Sequence, residues 1–351
     1  MASKKTHKKK VTLRQVAEQA NVSISTVSFV LNNKGDISAA TRKRVFQVVS
    51  HLNYKPRASM PKLDLLNKLL FVKIAKHGDT VNNDHNQFIS DYIDGMSGEA
   101  SRHNYSLEVI SHHGTDMTCL LSSLEKRDLS GAIILGTELS EHDIMALLKL
   151  QKPMVLIDTF HPFLNACFVD MDNDQATFMV VEHLKYLSFR RIGFVGSSSN
   201  VVNFKLREEA FIRACEKLKI PIAQEDRITV SAIRNKAYEE SKKYLETLNS
   251  YAEAYFCAND IIAFGFIRAL KEIGQRVPED VSVIGFDNLP ASRMLSPTLT
   301  TVNVPKQQIG AMAIRLLNDI IIADEPQHPV KVLVTGNLVQ RDSTLKHHLQ
   351  R

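Results

Sequence analysis

The 351-residue sequence contains no apolar run approaching the roughly 18 residues that a bilayer span requires. Its N-terminal MASKKTHKKK has lysines but no apolar stretch behind them, so no secretory leader is expected. Cysteine is scarce. Cys119, Cys167, Cys215 and Cys257 stand far apart and form neither a C-x-x-C pair nor a disulfide framework, which points to a reducing cytoplasm. G-x-x-x-x-G-K-S/T and G-x-G-x-x-G are both missing, and Gly193-Phe194-Val195-Gly196 is too short a pattern to replace them as a phosphate cradle. His85, His112, His113, His347 and His348 fall at no metal-ligand spacing. No catalytic residues, cofactor or metal are therefore expected. The end of the chain, Leu345–Arg351, carries no extended heptad repeat, so a tetramerising zipper is not expected.

Acidic residues are nearly absent from the first 63 positions. Only Glu18 and Asp36 stand against 13 lysines and arginines, a charge of +11. The whole chain carries +6, so the remainder carries −5. A basic head on a mildly acidic body is the electrostatic footprint of a nucleic-acid binder. Residues 1–10 read as a basic tail without structure. The segment 11–55 is patterned. Thr12 can cap a helix from Leu13, with Leu13, Val16, Ala17 and Ala20 on one face. A turn at Asn21-Val22-Ser23 leads to a second helix with Val27, Val30 and Leu31 inward. Asn32-Asn33-Lys34-Gly35 ends it, and Ser38 can cap a third helix carrying Val45, Val48, Val49 and Leu52. Two short helices on a tight turn, braced by a third, make a helix-turn-helix.

The runs Thr12–Ala17, Asn21–Ser28, Val30–Asn32, Thr41–Val45 and Leu52–Pro56 together resemble the head of the lactose/galactose repressor family. The resemblance implies that the second helix enters the major groove, with Ile24, Ser25 and Phe29 at the base-reading positions. Thr12, Ser23, Thr26, Ser28 and Asn32 are implied in the DNA-binding set, in phosphate or packing roles. Phe29 stands where several relatives have arginine. A phenyl ring has no donor for guanine and can make only apolar contacts, such as to a thymine methyl. Asn21 replaces a common turn glycine, and asparagine tolerates the left-handed backbone. In relatives, the segment matching 56–66 is a hinge helix whose leucine wedges into the minor groove, a position matched by Leu63. Pro61 falls inside that helix, where proline costs about 3 kcal/mol beyond the first turn. A shortened hinge helix and an extended linker both remain open.

From 67 to 345, short apolar strands alternate with amphipathic helices, the pattern of parallel sheets covered on both faces. Strands are read at Leu69–Ile74, Leu107–Ser111, Gly131–Leu135, Met154–Ile157, Arg191–Val195, Ala254–Cys257 and Val281–Gly285. Several end in polar residues, at Asp158, Ser197, Asn259 and Asp287. Ligands of open α/β sheets bind outside the carboxyl ends of the strands, so these side chains are expected to share a crevice. Arg190–Gly196, Cys257–Asp260, Pro278–Asp287 and Pro297–Val302 resemble the effector domain of the same family, which is similar to periplasmic sugar-binding proteins. The resemblance implies two lobes joined by crossovers near 160, 288–303 and 325–333. It also implies effector contacts from Asp158, Asn203, Arg207, Asn259 and Asp287. Carboxylates accept from hydroxyls, asparagine donates and accepts, and arginine offers a planar fork of donors. Asn259 could equally cap the helix that follows it.

The expectation is a DNA-binding transcriptional regulator, a homodimer on a palindromic double-stranded operator, responding to a sugar or a nucleobase. The alternatives are a solute-binding protein or a sugar-processing enzyme with a basic extension, Asp158 and Asp287 being the carboxylate pair of the latter.

Overall fold

The computed structural model describes residues 12–31, 37–52 and 67–345. The expected tail, Asn32 and the 56–66 hinge with Pro61 and Leu63 lie outside the described residues. The chain divides into two units that meet at Leu66 and Asn67.

In the first unit, α1 (Leu13–Ala20), α2 (Ile24–Leu31) and α3 (Ala39–His51) surround a small core of Val16, Ala17, Ala20, Val27, Val30 and Val45. Thr12 caps α1 reciprocally: its hydroxyl accepts from the Gln15 N–H, while the Gln15 side chain accepts from the Thr12 N–H at 2.8 Å. Asn21 ends α1 in the left-handed region at φ 51°, ψ 53°, as expected of a residue standing in for glycine. The Ser23 hydroxyl accepts from the Thr26 N–H at 3.0 Å and opens α2; Ser38 does the same for α3 through Thr41.

The second unit is two α/β lobes. Lobe one begins with β1 (Asn67–Ala75), α4 (Asn86–Arg102), β2 (Tyr105–His113), α5 (Thr118–Lys126) and β3 (Gly131–Leu135). It continues through α6 (Glu141–Leu148), β4 (Met154–Ile157) and β5 (Phe168–Met171). Lobe two follows with α7 (Asn173–Tyr186), β6 (Ile192–Ser197), α8 (Val202–Leu218), β7 (Arg227–Val230) and α9 (Arg234–Leu245). It is completed by β8 (Ala254–Cys257), α10 (Asp260–Glu272), β9 (Ser282–Phe286) and β10 (Thr300–Asn303). The chain then returns with α11 (Lys306–Ile322) and β11 (Lys331–Val334) to lobe one, and ends with β12 (Asn337–Val339) in lobe two.

The sheets run β11-β5-β4-β3-β1-β2 and β12-β10-β9-β8-β6-β7. Every pairing is parallel except β10 with β12. The strands β3 and β4 are apolar at every position because both faces are covered. In β1, Leu69 and Phe71 join the large core shared by the lobes, while Leu70, Val72 and Ile74 point into a second cluster under α5 and α6.

The crossovers lie later than the sequence suggests. The first follows Met171 rather than lying near 160, because β5 still belongs to the first sheet. The second, at Val304–Pro305, comes just after β10, beyond the expected 288–303. The third is at Thr335–Gly336, between β11 and β12, rather than within 325–333. The three run side by side, since β5 neighbours β11 and β10 neighbours β12. Gly336 is packed among them: a Cβ there would stand 2.5 Å from the Asn303 carbonyl oxygen and 2.6 Å from the Met171 terminal methyl.

Candidate functional site

In the head, helical periodicity turns Val27 and Val30 into the core and leaves the opposite face of α2 outward. Ile24 and Phe29 are about half exposed, at 48% and 47%, and Ser25 is exposed beside them. Ser23 is tied into its own turn by contacts with Ser25 at 2.7 Å and Thr26 at 2.8 Å.

In the body, all five crevice residues expected from the sequence converge. Asp158 follows β4, Asn259 follows β8 and Asp287 follows β9, while Asn203 and Arg207 lie one helical turn apart on α8. Lobe one adds Thr80, Val81, His85, Phe88, Ile89 and Thr137; lobe two adds Val201 and Phe204. The enclosed space is about 40 Å³.

Asp158 has left-handed backbone, φ 57°, which turns its carboxylate back over the strand ends. It accepts from Thr137 at 2.5 Å, from the Tyr92 hydroxyl at 3.2 Å and from the Asn203 amide at 3.3 Å. The Asn203 amide also lies 3.4 Å from Asp170, and its oxygen accepts from Asn173. Arg207 donates through Nε to Asn173 at 2.9 Å and through Nη1 to the Ala258 carbonyl at 2.7 Å, with its guanidinium 3.7 Å over the Phe286 ring. Asp287 sits at φ 114°, a strained backbone for a residue with a Cβ, and its N–H is held by the Val302 carbonyl. Its carboxylate lies 3.9 Å from Arg207 Nη1. Asn259 plays both roles weighed for it. Its oxygen caps α10 through the Ile262 N–H at 2.9 Å, and its amide nitrogen meets His85 Nε2 across the crevice at 3.3 Å.

Carboxylates outnumber cations here. Burial pushes Asp287 up to about 7, against the pull of Arg207 and Lys306. Burial and then the neighbouring carboxylate raise Asp170 and Asp260, each to about 8, the neighbours being Asp158 and Asp287 respectively. Asp158 is raised by burial as well. Burial lowers His85 to about 4, so it is neutral at pH 7. Lys306, the first residue of α11, is lowered by burial; it donates to the Asp287 carbonyl at 2.7 Å.

Sequence reasoning missed Thr137, Tyr92, Asp170, Asn173, Asp260 and Lys306. Thr137 follows β3 as Asp158 follows β4, so the rule about carboxyl ends could have found it. Asp260 stands beside Asn259 at the polar end of β8, where the same rule applies. Asn173 and Lys306 open helices, and Tyr92 and Asp170 sit within a helix and a strand, where no local signal separates a crevice polar group from a surface one.

Among known proteins, residues 12–57 match bacterial regulatory proteins of the lacI family, and residues 181–344 match a periplasmic binding protein-like domain. The HTH-type transcriptional repressor PurR of Haemophilus influenzae is 30% identical over 343 residues, covering 95% of this chain and 98% of that protein. The HTH-type transcriptional regulator YvdE of Bacillus subtilis is 30% identical over 337 residues, covering 95% and 99%. The fold matches the transcriptional regulator CelR–cellobiose complex, with TM-score 0.71, 22% identity and 95% and 100% of the two chains covered. It also matches the lac repressor dimer bound to operator and the anti-inducer ONPF, with TM-score 0.70, 24% identity and 96% and 100% covered. No helix among the described residues is long and apolar enough to cross a membrane. The outward face of α2, the two-lobed body and these likenesses along the chain lead to one conclusion: the protein belongs to the lacI family of bacterial regulatory proteins and is a helix-turn-helix, DNA-binding transcription regulator, not an enzyme.

Proposed function

We propose that this protein is a cytoplasmic repressor that binds a palindromic operator as a homodimer and changes its operator affinity when a polyhydroxylated small molecule, a sugar or sugar derivative, enters the crevice. One observation carries the effector reading. Arg207 Nη2 and the Asp287 carboxylate have no hydrogen-bond partner among the described residues, yet both side chains are almost fully buried at the crevice. A hydroxyl placed between them can donate to the carboxylate and accept from the guanidinium, and a vicinal diol can do so at two points. Ligand pockets usually measure about 300–1,000 Å³, so a guest of that size requires the lobes to part from the 40 Å³ arrangement. Parting at the crossovers is the movement that would carry effector occupancy toward the paired heads, and linkage makes the coupling reciprocal. In the head, Ile24, Ser25 and Phe29 would read bases, with Asn32 and Leu63 completing the contact set.

Calorimetry of the full-length protein against ribose, cellobiose, galactosides, adenine and guanine tests the crevice. Heat from a sugar in the wild type, abolished in Arg207→Ala, is the expected result. Binding of that sugar unchanged in Arg207→Ala would refute the site. A nucleobase is the second reading, favoured by the Phe88 and Phe204 rings that line the crevice from opposite lobes.

A further inference from the structure

After β1, the chain runs through His77, Gly78, Asp79, Thr80, Val81 and Asn82 into a short 3-10 turn, Asn83–His85. This segment is the lip of lobe one. It reaches lobe two at three points. The Ser199 hydroxyl donates to Asp79 at 3.0 Å, Arg234 pairs with Asp84 at 3.1 Å, and His85 meets Asn259 at 3.3 Å. Thr80, Val81 and His85 also line the crevice.

The lip is built around one side chain from another part of the lobe. Glu138, in the loop after β3, is wholly shielded from solvent. Its Oε2 accepts the N–H groups of His77 and Gly78, each at 3.0 Å. Its Oε1 accepts those of Thr80 and Val81, each at 2.9 Å, and the Thr80 hydroxyl at 3.1 Å. Burial alone would raise its pKa, but the backbone donors outweigh burial and hold the carboxyl below the ordinary range. Four loop N–H groups that would otherwise need water or a strand partner are met by this one anion.

We propose that Glu138 is a positioning residue: its carboxylate folds the lip, and through the lip it sets the grip of lobe one on lobe two. A glutamine offers one acceptor oxygen and turns an NH₂ toward two N–H donors. An aspartate lacks the methylene needed to span both donor pairs. Only the functional consequence, a change in effector affinity, rests on reading the crevice as the effector site.

Residue-resolved hydrogen exchange on the full-length protein, with no effector present, tests the inference. Glu138→Gln should raise exchange at His77, Gly78, Thr80 and Val81 by about tenfold or more. It should also loosen the facing segments 198–200 and 233–235 of lobe two. Ser199→Ala removes one cross-lobe bond, the one to Asp79, and leaves every bond to Glu138 in place. It should loosen 198–200 while the four lip amides stay protected. Wild-type protection of those amides in Glu138→Gln would overturn the proposal, as would a loosened lip with lobe two unchanged. If Glu138→Gln does not fold, Thr80→Val removes a single bond to Glu138 and should raise exchange at the same amides about threefold; no change there would equally overturn it. The crevice reading could fail in calorimetry while this result stands, and the reverse also holds.

Discussion

The two lobes share an architecture but divide the work at the crevice unequally. Lobe two presents a charged fork over an aromatic ring, Arg207 on Phe286 beside Asp287, on a helix and at a strand end. Lobe one presents the Asp158 carboxylate, already held by Thr137, Tyr92 and Asn203, and around it apolar or hydroxyl surface, Val81, Phe88, Ile89 and Thr137, partly on a lip that depends on a buried carboxylate. The Arg207 fork stands on a helix, whereas Val81 and Thr137, which help to set the shape, stand in loops. Changes on lobe two should therefore alter whether an effector binds, and changes on lobe one should alter which one.

The largest effect expected from that division is in Arg207→Ala. It removes the Nη2 donor proposed to meet the effector, along with the guanidinium stacked on Phe286, and bonds to charged groups contribute about 1.5–3 kcal/mol each. Effector affinity should fall about a hundredfold or more while operator binding without effector persists, measured by calorimetry and gel shift. If Ile89→Ala produced the larger loss and Arg207→Ala only altered preference among sugars, the comparison would be reversed. In the head, Phe29→Ala should weaken operator binding by about 1–3 kcal/mol and relax the preference at one base pair. Binding-site selection with both proteins would show it, and an unaltered consensus would remove Phe29 from the reading face.

A smaller effect is on the pH dependence of stability. Asp170, in lobe one, holds its proton up to about pH 8 when folded, against about 4 when unfolded. Between those values the folded state binds the extra proton, so this contribution is full below pH 4 and is lost as pH rises through 8. Asp170→Asn should flatten that fall. Urea midpoints at pH 5 and 8.5 should differ less in the variant than in the wild type, and an equal difference would show that Asp170 is ionised when folded. The smallest effect is Thr12→Ala, which removes half of the capping box and should cost the head about 1 kcal/mol, read from its thermal transition.

The legibility of the sequence followed polarity. Gly131–Leu135, Met154–Ile157 and Ala254–Cys257 were readable to the residue because both faces of these strands are buried and no charged or amide side chain interrupts them. Phe168–Met171 and Thr300–Asn303 were not, because each buries polar side chains that only tertiary partners satisfy. The Thr301 hydroxyl donates to Asp260 at 2.6 Å, and the Asn203 amide faces Asp170. Missing β5 also displaced the first crossover. At the site, the residues at strand ends were legible from the pattern, while Asn203 and Arg207 on α8 came only from the family resemblance. Glu138 was not, since its partners are backbone groups about sixty residues away in the chain.

The three crossovers packed around Gly336 determine what kind of joint connects the lobes. A single connecting chain would act as a swivel. Three lying abreast act as a leaf hinge, which permits rotation about the line they define and resists twist and slide. The Asp172 N–H donates to the Val334 carbonyl at 3.0 Å, and the Asn303 amide to Asn337 at 3.2 Å, so the leaves are stitched to one another. A methyl at position 336 would have to push the Asn303 carbonyl or the Met171 side chain aside. It would thereby offset the axis itself, so that the lobes, still folded, would swing along a different arc.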